Sequence, residues 1–340
     1  MNGSRVLVAA WLLFIGASFS TLAQAPAGVK LKPEVEQFIA QMQRKHQFDE
    51  QALRQIFSQL QTHEGVVKAI NAPSTSKPWH EFKTIFVTPT RTSAGVTFWN
   101  ENAELLKRAR DVYGVPEEIV VSIIGVETIY GKRTGSFRVI DALYTLGFDV
   151  PRRADYFRAE LEQFLLLARD NDLDALAVKG SFAGAMGMPQ FMPTSYRSFA
   201  VDFDSDQRIN LWDNLADVIG SVANYLHHFG WAAGQPIVLP ARVSGTQHSE
   251  ILELGVKPHM PLSQMLIKGI ESTVPLAEDL PAGLFALEGE HGAEHWLALN
   301  NFHVITRYNR SKNYAMAVVQ LAEAIARERE GPNAAQVANP

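Results

Sequence analysis

The sequence predicts a mainly α-helical protein with a small inserted α+β region. Three observations carry this. Apolar residues recur at three- and four-residue steps through most of the chain, the rhythm is lost between about Gln235 and Glu288, and it returns from Tyr314 to Ala326. Such a rhythm gives each helix one face to bury, whereas short apolar runs between prolines and glycines suit strands and turns. The 340 residues are 46% hydrophobic and 20% charged, which is enough apolar material for a sizeable core.

The chain opens with Arg5, a nearly unbroken apolar run from Val6 to Phe19 and the small-residue stretch Thr21–Ala25. Residues 1–25 read as a signal peptide, because a membrane span needs about 20 apolar residues and this run is shorter. Cleavage after Ala23 is favoured over Ala25, since Pro26 would sit beside the second cut. The absence of cysteine excludes disulfides, thiolate nucleophiles and lipid attachment through an N-terminal cysteine. The expectation is a soluble periplasmic protein stabilised by packing. A net charge of -5 argues against a nucleic-acid partner, which calls for a concentrated basic face.

Val35, Phe38, Ile39, Met42, Leu53, Ile56 and Phe57 fit two amphipathic helices between Pro33 and Leu60, and Asn71–Pro78 reads as a linker. Phe98–Tyr113 is again helical in pattern. Gly114-Val-Pro116 interrupts it before a helix from Pro116 to a stop at Gly131. Further helices fit Tyr156–Ala168 and Asn214–Phe229, on either side of the glycine-rich segment Lys179–Pro193. Ile237–Leu239, Ile251–Leu254 and Gly283–Ala286 are the short apolar runs of the inserted region.

Glu127 follows Val120, Ile123 and Ile124 by seven, four and three positions, which puts it on the apolar stripe of its helix. Burial there would raise its pKa and keep a proton available to a general acid near neutrality. The residue could equally bond a buried backbone group or an arginine. Segment Ser181–Tyr196 crowds small residues, methionines and aromatics together. Ser181 and Gln190 offer hydrogen bonds to sugar hydroxyl or acetamido groups, and Phe191 and Tyr196 offer ring faces, although a tight helix crossing would use the same residues.

Asp202, Asp204, Asp206, Arg208, Asn210 and Asp213 occupy positions 1, 3, 5, 7, 9 and 12 of a twelve-residue run, the spacing of an EF-hand calcium loop. Arg208 would contribute its backbone carbonyl. Gln207 replaces the usual glycine at position 6, and Asp213 the usual glutamate at position 12. Aspartates packed this closely repel one another without a cation, so a structural Ca2+ is favoured over a solvated acidic turn.

Four runs, Gly125–Gly131, Ser181–Tyr196, Asp202–Asp213 and Tyr308–Met316, closely resemble the membrane-bound lytic transglycosylase B family, and the resemblance extends from about Pro33 to Ala324. It implies a lysozyme-like helical core at 95–234 containing the loop 202–213. Around it would lie an N-terminal helical region at 30–90 packing with 301–330, a small α+β insert at 235–300, a C-terminal helical segment at 301–330 completing the groove, and a flexible tail at 331–340. The implied activity is cleavage of the β-1,4 bond between N-acetylmuramic acid and N-acetylglucosamine in peptidoglycan glycan strands, with Glu127 as the only acid/base.

By the same matching, Ser181, Gln190, Phe191, Arg152, Arg153, Tyr156, Tyr225, Tyr308, Asn309 and Tyr314 would line the groove. Arg152 and Arg153 could clamp a substrate carboxylate or simply form a solvated helix start. Phe82 stands where the family commonly has a tyrosine. One carboxylate without a second implies that the substrate's N-acetyl group stabilises the cationic sugar and that the muramoyl C6 hydroxyl closes on C1 to give a 1,6-anhydro end. The chemistry needs no cofactor. A monomer is expected, and cell-wall synthesis proteins are candidate partners. The rival readings are a hydrolytic muramidase of goose-lysozyme type and a non-catalytic wall-binding protein.

Overall fold

The computed structural model describes residues 30–71 and 77–331. The signal-peptide region, most of the turn-rich stretch Asn71–Pro78 and the tail from 332 lie outside the described residues. Contacts divide the chain into two compact units, Met1–Gln59 and Leu60–Pro340.

In the first unit, α1 (Pro33–His46) begins at a proline with Glu34 and Glu36 in its first turn and carries Arg44, Lys45 and His46 in its last, all favourable to the helix dipole. Gln47 ends it in the left-handed conformation. The next helix, α2 (Glu50–Phe57), is capped by Asp49, whose carboxylate accepts from the Ala52 amide at 2.7 Å. Val35, Phe38, Ile39, Met42, Leu53 and Phe57 are buried, so the apolar steps read from the sequence are the inward faces of two helices.

The second unit continues with α3 (Glu64–Ile70), α4 (Trp79–Phe86), α5 (Pro89–Glu101), α6 (Ala103–Tyr113) and α7 (Glu117–Thr128). After these come the short strand β1 (Phe137–Arg138), α8 (Val139–Phe148), α9 (Ala154–Asp170), the short strand β2 (Lys179–Gly180), α10 (Pro193–Phe199) and α11 (Leu215–His228). Phe98–Tyr113, which reads as one helix, is two, because Asn102 leaves helical geometry and its side-chain amide donates to the Phe98 carbonyl at 2.8 Å.

Helix α7 is the centre of this unit. All residues from Ile119 to Val126 are buried, and α5, α6 and α11 pack around it with the long C-terminal helix described below. A helix that is apolar on every side belongs in an interior. It ends three residues before Gly131. Ile129 and Tyr130 both turn left-handed, with φ of 53° and 57°, and their amides return to the carbonyls of Gly125 and Ile124. A left-handed β-branched residue is strained and has to be held by its surroundings. Here the Tyr130 hydroxyl donates to the Arg91 carbonyl at 2.9 Å and its ring stacks on Phe98.

The inserted region is β3 (Val238–Val243), α12 (His248–Leu254), β4 (Met260–Pro261), α13 (Leu262–Ile267), β5 (Ile270–Ser272), β6 (Pro281–Gly289) and β7 (Gly292–Ala298), with an antiparallel sheet in the order β4-β6-β7-β3-β5. Ile251, Met265, Ile270, Leu284 and Leu297 give it a small core of its own. The run Ile251–Leu254 is part of a helix. The chain then returns through α14 (Asn300–Tyr308) to α15 (Lys312–Glu330). Phe285 stacks on Phe302 at 4.7 Å, and the Lys312 ammonium donates to the Ala286 carbonyl at 2.6 Å, tying sheet to helices. Phe82 is buried between Trp79 and Phe86, a place for a ring without a hydroxyl.

Candidate active site

Glu127 lies in the last turn of α7, with its side chain partly exposed while its neighbours on the helix are buried. The Tyr314 hydroxyl, from the first turn of α15, donates to its Oε1 at 2.6 Å. Ser311 caps α15, accepting from the Tyr314 amide, and so fixes the tyrosine's start. Desolvation pushes the Glu127 pKa up from 4.5 to about 7, and the tyrosine hydrogen bond opposes this. Among the described residues no other carboxylate contributes to that shift. With Oε1 engaged, Oε2 is the oxygen left to carry a proton.

Tyr225 from α11, Tyr308 from the end of α14 and Phe191 form an aromatic wall, with ring centroids 4.8 to 5.8 Å apart. Burial and the Glu127 charge together hold the Tyr308 and Tyr314 hydroxyls well above the ordinary range, so both remain hydrogen-bond donors. Tyr308 donates to the Pro189 carbonyl and Tyr225 to the Arg307 carbonyl, each at 2.6 Å. Phe191 is only 2% exposed. Its ring is used up against Tyr225 and Tyr308, and Tyr196 is likewise buried with its ring against Trp212, so neither offers an open face to a sugar.

The loop after β2 presents Ser181 and Gln190. It is pinned by paired hydrogen bonds between Met186 and Phe191 and by the Met188 amide on the Leu211 carbonyl at 2.8 Å. The Ser181 hydroxyl accepts from the amides of Ala183 and Ala185, so its own O–H is left to donate. Gln190 sits at φ 51°, and its Nε2 donates to the carbonyls of Thr134 and Gly187, so its Oε1 is left to accept. Thr128 was not singled out from the sequence, yet its hydroxyl accepts from the Gly131 amide and donates to the Met188 carbonyl at 2.9 Å. It therefore ties the end of the Glu127 helix to this loop; its place beside Glu127 in the run Gly125–Gly131 was the available signal.

The remaining groove candidates are exposed. Arg152, Arg153 and Tyr156 are exposed at the start of α9, with the Arg153 guanidinium 4.4 Å over the Tyr156 ring. Partial desolvation beneath the Arg153 side chain, with Glu160 beside it, pushes the Tyr156 pKa up to about 12, against the positive charges of Arg153 and Arg310. Among the described residues no hydrogen bond or ring contact joins these three to the Glu127 cluster. Asn309 is exposed at the end of α14, and its Oδ1 accepts from the Ser311 amide at 3.1 Å.

In the acidic loop the carboxylates that converge are Asp202, Asp204 and Asp217, with oxygens within 4.8 Å of one another. Asp217 is fully buried and accepts from the amides of Phe203 and Asn210, both at 2.8 Å, which holds the two ends of the loop together. Burial raises its pKa, helped by the charges of Asp204 and Asp202. Asp206 instead accepts from the Arg208 amide, and Asp213, at position 12, is exposed and outside the convergent group. Gln207 adopts φ 70°, the conformation that glycine usually supplies at position 6. Among the described residues no lysine or arginine pairs with these acids. An all-oxygen set with uncompensated charge fits a hard cation such as Ca2+. The fit enlists Asp217, a first-turn acid of α11 that twelve-residue spacing does not reach.

The transglycosylase SLT domain family matches residues 30–323. The membrane-bound lytic murein transglycosylase B of Escherichia coli (strain K12) is 46% identical over 307 residues, spanning 87% of this chain and 84% of that protein. The crystal structure of the soluble lytic transglycosylase SltB1 from Pseudomonas aeruginosa superposes with a TM-score of 0.82 at 48% identity, over 88% of this chain and all of that one. The Escherichia coli lytic transglycosylase Slt35 in complex with calcium gives 0.79 at 44% identity, covering 88% of this chain and 94% of its own. Among the described residues no helix is long and apolar enough to cross a membrane.

Proposed function

This chain belongs to the transglycosylase SLT domain family and is a peptidoglycan lytic transglycosylase with a lysozyme-like fold; from that premise we propose that Glu127 alone serves as acid and then base in an intramolecular ring closure. The observation that carries this reading is the Glu127 carboxyl at the end of a buried helix, held by the Tyr314 hydroxyl at 2.6 Å, where burial pushes its pKa up to about 7.

Protonated Glu127 donates from Oε2 to the glycosidic oxygen, and the C1–O4 bond breaks with its electrons going to the leaving N-acetylglucosamine. The neighbouring acetamido oxygen of the muramoyl sugar then bonds to C1. The Ser181 O–H and the Gln190 Oε1 are the free donor and acceptor that hold this acetamido group at its carbonyl and its N–H. Glu127, now ionised, takes the C6 hydroxyl proton. O6 displaces the acetamido oxygen at C1, which gives the 1,6-anhydro ring and returns the proton to the enzyme with no water consumed. Tyr314 holds the carboxyl in place throughout. Mass spectrometry of digested peptidoglycan tests the proposal: anhydro-muramoyl ends are the expected product, and ends one water heavier would mean hydrolysis by the goose-type route.

Tyr314→Phe removes the hydrogen bond that lowers the Glu127 pKa. The alkaline limb of the pH–rate profile, where Glu127 loses its proton, is expected to move to higher pH. A limb that stays in place would detach this tyrosine from the acid.

We also infer that Asp202, Asp204 and Asp217 hold a structural Ca2+, whose charge would offset the repulsion among them. A bound ion at a concentration 100 times its Kd contributes about 2.7 kcal/mol. Chelation with EGTA is therefore expected to lower the thermal midpoint by several degrees, and an unchanged melt would speak against an occupied loop. The glycan substrate and the apolar start of the chain support a periplasmic location.

A further inference from the structure

A second cavity of about 570 Å³ lies beside the acidic loop, walled by Asp170–Leu173 on one side and by Gln207–Asn210 with Trp212 on the other. Its size is within the range of about 300–1,000 Å³ usual for small-ligand sites. Trp212 is partly exposed, with one contact of its ring to Tyr196 at 5.8 Å, and its Nε1 donates to the Lys179 carbonyl at 3.3 Å. That anchor lies two residues before Ser181. The adjoining Leu211 carbonyl is the acceptor that pins Met188 in the loop bearing Gln190. The cavity wall is thus tied by two hydrogen bonds to the loop that bears Ser181 and Gln190.

Several of the polar groups lining it are open, though the Asn210 oxygen accepts from the Trp212 and Asp213 amides. Asp170 is taken by Arg169 and Arg197, but among the described residues the Asp172 carboxylate, the Gln207 amide and the Arg208 guanidinium have no side-chain partner. Asn171 donates its amide to the Leu167 carbonyl and keeps its Oδ1 as an acceptor. A fixed indole beside a carboxylate, amides and one guanidinium matches an amphipathic pyranose, whose ring stacks while its hydroxyl and acetamido groups bond at the edge. An anionic stem peptide fits less well, because Asp172 faces it with only Arg208 to answer.

Resting on the reading that the Glu127 cleft holds a glycan strand, we propose that this cavity is an outer subsite for an N-acetylhexosamine residue beyond the sugars that flank the cleaved bond, with Trp212 as its platform. Titration calorimetry of the Glu127→Gln protein with N-acetylglucosamine trimer and hexamer tests it. The hexamer is expected to bind at least tenfold more tightly. Adding Trp212→Leu should remove the hexamer's advantage over the trimer, whatever the loss of the Lys179 anchor does to both. Arg208→Ala, an exposed side chain whose loss leaves the melt in place, should weaken hexamer binding severalfold and trimer binding not at all. Equal effects on both oligomers, or on neither, overturn the subsite while the trimer still reports an intact cleft. Failure of either oligomer to bind the Glu127→Gln protein overturns the cleft reading and the subsite with it.

Discussion

Replacing Glu127 with glutamine is expected to abolish glycan cleavage, by at least about a thousandfold, while making the protein more stable at alkaline pH. The two effects have one origin. Burial raises the carboxyl pKa from 4.5 to about 7, which amounts to roughly 3 kcal/mol against the ionised form. The folded state therefore holds this proton more tightly than the unfolded chain. Its contribution to stability is complete below about pH 4.5 and is lost as pH rises through about 7. Glutamine keeps the shape and the ability to accept from Tyr314 but has no charge to desolvate. Melts of parent and variant should coincide near pH 4.5 and separate by several degrees at pH 8, the variant melting higher, with partial exposure of the site trimming the full figure. Coincident melts at both pH values would remove the case for a desolvated acid, and residual turnover near parental levels would remove the case for Glu127.

Gly135→Ala is expected to cost several kcal/mol of stability and most of the activity. Gly135 sits at φ +100°, and a methyl group there would overlap the carbonyl of Gly180 and lie 2.6 Å from the Ser181 amide. Both neighbours are backbone, so neither can swing aside. Strain at the dihedral and overpacking each contribute roughly 1–3 kcal/mol, enough to lower the thermal midpoint by on the order of 10 °C. Whatever relief the chain finds has to move β2 away from β1, and Ser181 is the next residue. Calorimetry with a turnover assay checks this; a midpoint within a degree of the parent would contradict the close approach.

Much of the fold could be read because α1 and α2 alternate buried and wet faces at the helical period, while α9, α11 and α15 carry apolar runs long enough to be buried on several sides. Glu127 was found by the same reasoning, although the structure gives a different cause for its desolvation: α7 is buried on every side from Ile119 to Val126, so the partly exposed carboxyl at its end is surrounded by the interior rather than set on a stripe. The end of α7 was less legible, since the obvious stop is Gly131 and the left-handed turn begins at Ile129, a residue with no local preference for it. Long-range partners lay beyond periodicity altogether. The Tyr308 hydroxyl on the Pro189 carbonyl is set by elements 119 positions apart that meet only in three dimensions, whereas Asp217 lies just past the loop it closes and was missed because the twelve-residue pattern stops at Asp213. Phe191 illustrates the opposite limit: an aromatic in a glycine-rich segment looks like a platform until its burial is known.

Tyr314 reaches Glu127 across 187 positions of sequence, and it does so from the helix that closes the second unit. A chain emerging from its N-terminus therefore carries its acid long before it carries the group that steadies it. Because α15 also shields α7, any product broken off ahead of residue 312 would present a loosened cleft and an unsupported carboxyl. The acid and the hydroxyl that steadies it therefore come together only when the last long helix has folded onto α7.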